Sequence, residues 1–117
     1  MDITDKEKFI KKERLKLTRI FRDVDEMKKK TAEKLIDNAA FLSASLQELQ
    51  DLINQKGYTE EYNNGGNQWG TRVSLEVTAY NKLITNYNGI IKMLMTLLPK
   101  DNAETSDRLA EFIMGKK

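Results

Sequence analysis

The first half of the chain carries a helical pattern that is too long for one small domain to cover. No Gly or Pro occurs from Met1 to Lys56. The pattern predicts a helix from about Asp5 to Asn54, roughly 75 Å long at 1.5 Å per residue, so it needs a break or a partner. Its apolar stripe recurs at steps of three and four residues: Ile20, Val24, Met27, Thr31, Leu35, Ala39, Leu42, Leu46, Leu49 and Ile53.

The sequence leaves open whether residues 1–56 form one helix or two. The weakest stretch is Lys28–Thr31, where three lysines precede a β-branched residue that can act as an N-cap. We therefore expect either a break near there or one long bent helix. The end of the helix is clearer, because Lys56 falls in the last turn and Gly57 follows at the capping position that favours a left-handed residue.

Residues 57–73 are rich in glycine and asparagine. The stretch NNGGNQWGT, Asn63 to Thr71, holds three of the six glycines and the only tryptophan. Because turn-forming residues dominate and no regular period is present, we expect a functional or a disordered loop without secondary structure. We expect Trp69 to anchor this loop on the helices through its apolar indole. The alternative is that Tyr58, Tyr62 and Trp69 stack on nucleic-acid bases.

A second helix is predicted over residues 74–99, with Ser74 as its N-cap and Pro99 as its terminator. A short C-terminal helix over residues 104–114 is suggested by Leu109, Phe112 and Ile113, and a helix so short must dock to be stable. The second helix has a heptad stripe that predicts a helix–helix seam, formed by Val77, Tyr80, Ile84, Tyr87, Ile91 and Leu94.

These elements predict a single all-α domain without a sheet. The two long helices form an antiparallel hairpin, and the short C-terminal helix docks on it. The first helix is longer than the second can cover, so either its N-terminal part folds back or other copies of the chain cover it. We favour an oligomer, because such a hairpin has little core of its own. The apolar residues that need cover are Phe9, Ile10, Leu15, Leu17, Ile20 and Phe21.

Charge is unevenly distributed along the chain. Residues 1–34 carry twelve Lys or Arg and eight Asp or Glu, whereas residues 35–76 carry two and six. The basic excess suggests a polyanionic partner such as double-stranded DNA. The alternative is a solvated helix face tied by pairs such as Glu7–Lys11. The candidate phosphate contacts are Lys11, Lys12, Arg14, Lys16, Arg19 and Arg22.

Composition argues against several classes of function. The chain has neither His nor Cys, which removes the commonest proton shuttle and the thiolate nucleophile. The GGNQWG stretch lacks the Lys–Ser/Thr pair of a nucleotide-binding loop, and the acids at Asp23, Asp25 and Glu26 do not converge on a metal. We therefore expect a non-catalytic protein without cofactor or metal. No apolar run reaches the roughly 20 residues of a membrane span, and no signal peptide is evident, so we expect an intracellular protein.

The stretch NNGGNQWGT, followed by SLEV and YNKLITNYNGIIKMLMTLLPK, resembles the C-terminal half of short small terminase subunits from tailed phages and prophages. In that family an acidic helix leads into an Asn/Gly loop, and a Tyr-rich helix then closes in Leu-Leu-Pro. The resemblance covers roughly Leu35 to Lys100. Two departures are Leu75, where the family often has Pro, and the lack of an evident helix-turn-helix before Gly57.

The resemblance implies a function in viral DNA packaging. A small terminase subunit binds the genome near the packaging start, forms a ring-like oligomer and hands the DNA to a large subunit that carries the ATPase and nuclease. The expected partners are therefore double-stranded DNA, the large terminase subunit and further copies of the chain, in the cytoplasm of a bacterial host. The alternative is a non-catalytic helical oligomer that serves as a protein-interaction or structural module.

Overall fold

A computed structural model describes residues 1–99 and 103–115 of the chain. The fold is mostly helical, as predicted, with α1 and α3 packed on α2 and α4 packed on α1. The prediction that no sheet is present was wrong, because a two-stranded antiparallel hairpin joins α2 to α3. The elements in the described ranges are α1 (Ile3–Ile20), α2 (Glu26–Lys56), β1 (Thr59–Asn63), β2 (Trp69–Val73), α3 (Leu75–Thr96) and α4 (Ala103–Ile113).

The first helical region consists of two helices. The turn between them ends at Asp25, whose side chain caps α2 by accepting a 2.9 Å hydrogen bond from the Lys28 backbone N–H. The break therefore lies before the predicted stretch Lys28–Thr31. Thr31 is not an N-cap, because it lies inside α2 and its hydroxyl donates to the Met27 carbonyl at 3.2 Å.

After this turn α2 runs antiparallel to α1, so that α1 folds back on the same chain. Lys6 Nζ lies 2.7 Å from Glu48 Oε1, and Glu13 Oε1 accepts a 2.9 Å hydrogen bond from the Ser43 hydroxyl. Of the α1 residues that needed cover, Leu17 and Ile20 are buried within the single chain, as is Phe21 of the turn. Folding back, rather than the favoured cover by other copies, accounts for these three residues.

The core is concentrated at the end of the molecule where all four helices meet. Small residues on α2, including Ala32 and Ala39, let the neighbouring helices approach closely. Their partners come from α1, from the α1–α2 turn, from α3 and from α4. The buried apolar cluster comprises Leu17, Ile20, Phe21, Val24, Ala32, Ile36, Ala39, Ile91, Leu94, Leu98, Leu109 and Phe112.

The predicted seam on α3 is buried along only part of its length. Ile91 is 5% exposed and Leu94 is fully buried, because they reach the four-helix end. Ile84, which the heptad pattern also places in the seam, is only partly buried. The remaining seam residues, Val77, Tyr80 and Tyr87, are partly buried as well.

The segment predicted as a loop folds into the hairpin because its turn residues close two short strands. The register pairs Thr59 with Val73 at the base and Asn63 with Trp69 at the tip. The Asn63 side chain accepts a 2.7 Å hydrogen bond from the Gly65 N–H, and Gly65 and Gly66 adopt the positive φ angles that such a turn requires.

Two glycine substitutions are expected to change stability in opposite directions. Gly57 ends α2 with φ 87° and ψ −172°, a conformation essentially restricted to glycine. Gly57→Ala should therefore lower the free energy of unfolding by about 1–3 kcal/mol. Gly89 is helical, and an added Cβ there meets nothing within 4 Å. Gly89→Ala should raise the free energy of unfolding by up to about 1 kcal/mol.

Urea unfolding followed by circular dichroism measures both changes. A Cβ at Gly57 also meets nothing within 4 Å, so the pair compares backbone conformation without a steric difference. Equal effects of the two substitutions would contradict the positive φ at the end of α2.

Candidate nucleic-acid interface

The outward side of α1 carries a cluster of basic side chains. Leu17 and Ile20 fix the inward side of this helix. With 3.6 residues per turn, the exposed residues Lys8, Lys11, Lys12 and Arg19 fall on the opposite side within an arc of about 100°, and no acidic residue of α1 lies in that arc. Arg22, also exposed, follows in the turn after α1. We call these five side chains the basic surface: Lys8, Lys11, Lys12, Arg19 and Arg22.

Two of the predicted phosphate contacts point elsewhere. Arg14 lies beside α2, with its guanidinium Nη1 3.8 Å from Asp37 Oδ1. Both side chains are about half exposed, so this ion pair is weak and leaves Arg14 available to a ligand. Lys16 is less available, because its Nζ lies 3.2 Å from Glu13 Oε2 and its side chain is only 34% exposed. The structure therefore separates Lys16 from the other predicted residues.

A groove between the end of α1 and the start of α2 extends the positively charged region. It encloses about 540 Å³ over an apolar floor that includes Phe21 and Ile36. Lys29 and Lys30 contribute to its rim. In the sequence, this stretch is identifiable only as the place where the helix is most easily interrupted, and not as part of a binding site. The reversal of the chain at Asp25 brings these lysines beside α1. The charged lining residues are Arg14, Arg19, Arg22, Lys29, Lys30, Glu26, Glu33 and Asp37.

Behind the basic surface, Glu13 links α1 to α2 and its charge acts on a residue of α3. Its Oε1 accepts the hydrogen bond from Ser43 of α2, and its buried Oε2 lies near the Lys16 ammonium without hydrogen-bond geometry. Tyr87 of α3 is close enough for the Glu13 charge to affect it. Burial, and to a lesser extent the charge of Glu13, raises the pKa of the Tyr87 hydroxyl to about 12.

This raised pKa predicts a loss of stability in strong alkali. A tyrosine in the unfolded chain ionises near pH 10. The stabilisation linked to the Tyr87 pKa is therefore fully present below about pH 10 and is lost as the pH rises to about 12. Tyr87→Phe should make the free energy of unfolding fall less steeply across this range, as measured by urea unfolding at pH 9.5 and 11.5. If the free energy of unfolding fell equally between pH 9.5 and 11.5 in the parent protein and in Tyr87→Phe, this placement of Tyr87 would be contradicted.

The aromatic residues of the hairpin lie at the opposite end of α2 from the α1–α2 turn. The prediction that Trp69 anchors a loop was wrong, because Trp69 is 66% exposed at the start of β2. Tyr62 instead packs inside the hairpin, with its ring over Gly70 and 5.2 Å from the Arg72 guanidinium carbon. α2 separates the hairpin from the α1–α2 turn by 31 residues, about 46 Å. The aromatic rings of the hairpin are therefore not part of the groove at the turn.

The base of the hairpin is tied to the helices on either side. Ser74 is buried and caps α3, and Glu60 accepts a 2.6 Å hydrogen bond from the Leu75 N–H. Lys56 Nζ lies 2.8 Å from Glu76 Oε1, and this contact raises the pKa of Lys56 and lowers that of Glu76. These contacts fix where the hairpin leaves the helical body.

Neither a metal cluster nor a membrane-spanning helix occurs in the described ranges. Among the side chains that the structure describes, no group of three or more Asp and Glu is placed to hold a metal ion. In the same ranges no helix is both long and apolar enough to cross a membrane.

Comparisons with known proteins do not identify a family for this chain. No protein-family model, curated protein or solved structure matches the chain.

Proposed function

We propose that the protein is a non-catalytic, DNA-binding subunit of the small-terminase type. It holds double-stranded DNA on the basic surface, associates with further copies of itself and passes the DNA to a large ATPase and nuclease subunit in a bacterial host. The resemblance in the Asn/Gly segment and the Tyr-rich helix supports the packaging role. The distribution of charge at the α1–α2 end of the molecule supports the binding of DNA.

One observation carries the DNA proposal. None of the five side chains of the basic surface forms an ion pair with any residue in the described ranges. Other cations are used within the fold, as in the contact of Lys6 with Glu48. Unpaired cations on one side of a helix favour a polyanion, because each phosphate contact releases a condensed counterion.

The shape of α1 suits contacts to the DNA backbone. Lys8 and Arg19 are eleven residues apart, about 17 Å along the helix axis. Duplex DNA presents about one phosphate charge per 1.7 Å of its axis, so several phosphates lie within that span. Between these cations the outward side of α1 carries Leu15, which cannot read a base edge by hydrogen bonding. Contacts of these cations to phosphates should depend little on DNA sequence.

The main alternative is an interaction or structural module in which the basic surface is only solvated. The contact of Arg14 with Asp37 favours it, since this cation is partly satisfied within the chain. The two functions differ in their response to salt. Phosphate binding by five cations should give a slope of log K against log salt of up to about −4.5, whereas a solvated surface gives no DNA affinity to measure.

The test is a titration of a labelled 30-base-pair duplex followed by fluorescence anisotropy between 50 and 300 mM salt. Binding that weakens steeply with salt and is similar for unrelated sequences supports the proposal. Lack of binding at 50 mM salt would leave the interaction module as the better function.

A further inference from the structure

The hairpin has two strand edges with which no other strand of the described residues pairs. The Ser74 N–H donates to the Tyr58 carbonyl, and the Asn64 N–H donates to the Gln68 carbonyl. Hydrogen-bonded pairs alternate with non-hydrogen-bonded pairs in an antiparallel ladder. The backbone groups of residues 59, 61 and 63 therefore point outward from β1, and those of residues 69, 71 and 73 point outward from β2. The sheet has only these two strands in the described part of the chain.

The same alternate residues expose their side chains on one face of the hairpin. Trp69 is 66% exposed and Val73 is 55% exposed, with Thr71 between them. A two-stranded sheet is only marginally stable by itself, and uncovered edges favour the addition of another strand. An exposed indole and an exposed valine beside free backbone groups indicate a surface that pairs with a strand.

Charge distinguishes the two edges. Antiparallel pairing of β1 with a second β1 centred on Glu61 would place two carboxylates opposite each other, which destabilises a strand pair. The outward positions of β2 carry no charge, and Arg72 would face Gly70 of the second copy in a pairing centred on Thr71. The edge of β2 is therefore compatible with a second copy of itself, whereas that of β1 is not.

Side-chain matching in this register also favours a second copy. Pairing β2 with β2 about Thr71 sets Trp69 of each chain opposite Val73 of the other, so that two aromatic–aliphatic pairs form on one face. Pairing β2 with β1 of another copy would instead set Trp69 opposite Asn63 and Val73 opposite Thr59, and it would continue as an open chain of molecules. The symmetric pairing closes after two copies and leaves the acidic β1 strands outermost.

We propose that two copies of the protein associate through antiparallel pairing of their β2 strands about a two-fold axis at Thr71. The product is a four-stranded sheet with about six new backbone hydrogen bonds. The proposed function includes self-association, and this dimer identifies the surface through which it occurs. The dimer does not depend on DNA binding.

Sedimentation and fluorescence of the full chain test the dimer directly. The interface is small, so its dissociation constant should lie in the range of roughly 10–1000 μM. Because Trp69 is the only tryptophan, its emission should shift to shorter wavelength in parallel with the rise in mass. The dimer should form equally at 50 and 500 mM salt, since no ion pair crosses the interface. A monomer at 1 mM protein would overturn the proposal.

Single cysteines locate the interface, because the chain has none of its own. Paired residues at the two-fold position have Cα atoms about 5.5 Å apart, within the range of a disulfide. Thr71→Cys should form a disulfide-linked dimer under mild oxidation at least 10-fold faster than Glu61→Cys, the matched change on the other edge. Equal rates would mean random collision and would overturn the assignment.

Proline at the same two positions separates loss of pairing from loss of fold. Residues 61 and 71 do not donate within the hairpin, so proline there removes only an outward N–H. Thr71→Pro should weaken the dimer at least 10-fold while leaving the helical circular dichroism unchanged, and Glu61→Pro should leave the dimer intact. Dimers that persist in Thr71→Pro, or that dissociate in 500 mM salt, would show association by another surface.

Discussion

Duplex DNA binding should fall by roughly 100-fold at about 0.1 M salt when Lys11, Lys12, Arg19 and Arg22 are changed together to glutamine. These side chains are exposed, and none forms an ion pair in the described ranges, so the substitutions weaken DNA binding without breaking the fold. The slope of log K against log salt should decrease in magnitude by up to about 3.6, or about 0.9 for each phosphate that is no longer neutralised. Fluorescence anisotropy over a range of salt concentrations measures both quantities.

A matched pair of double variants separates local contact from total charge. Lys12→Gln with Arg19→Gln removes two cations from the basic surface, and Lys82→Gln with Lys92→Gln removes two exposed cations from α3. Only the first variant should show a lower affinity and a shallower salt slope. Equal decreases in the two variants would mean that DNA responds to net charge alone, and the proposed basic surface would have to be abandoned.

Leu94→Ala should lower the free energy of unfolding by about 2–5 kcal/mol, which is a large fraction of the stability of a small domain. Leu94 is fully buried in the cluster where α1, α2, α3 and α4 meet, so truncation leaves a cavity that several helices would have to fill. Thermal unfolding followed by circular dichroism should show a midpoint lower by about 10 °C or more.

The neighbouring residue provides the control for this change. Met93→Ala removes a side chain of similar size from the adjacent position of α3, but Met93 is 50% exposed. It should cost less than about 1 kcal/mol. Ile84→Ala should fall between the two, because Ile84 is only partly buried. A larger effect of Met93→Ala than of Leu94→Ala would show that α3 is rotated relative to the core.

Much of the helical structure could be predicted because its signals are local. Ser74 caps α3 as expected, since an N-cap acts over only three residues. Gly57 ends α2 because a positive φ favours glycine wherever it occurs. The heptad pattern likewise placed Ile91 and Leu94 on the buried side of α3. These features depend on residues that are close together in the chain.

The hairpin was not predicted, although its turn signal is also local. Asn and Gly residues flanked by Thr, Tyr, Trp and Val are typical of a hairpin. The hairpin has no buried face that would impose an alternating apolar pattern on both strands. Exposed residues in the two strands include Thr59, Glu61, Asn63, Thr71 and Val73. Contacts across the hairpin, including the Tyr62 ring over Gly70 and the ion pair of Arg72 with Glu60, are not visible in either strand by itself.

By itself the sequence determined the helical segments, most of their ends and the excess of cations in α1, because period, capping and charge are properties of neighbouring residues. Only the tertiary structure decided that the chain reverses at Asp25, since the apolar stripe keeps its phase through the turn. That reversal buries Phe21 and brings Lys29 and Lys30 beside α1. Whether a side chain is buried or available to a ligand depends on which distant helix packs against it. Which helices pack together is determined by the free energy of the whole core, and the local sequence does not show it.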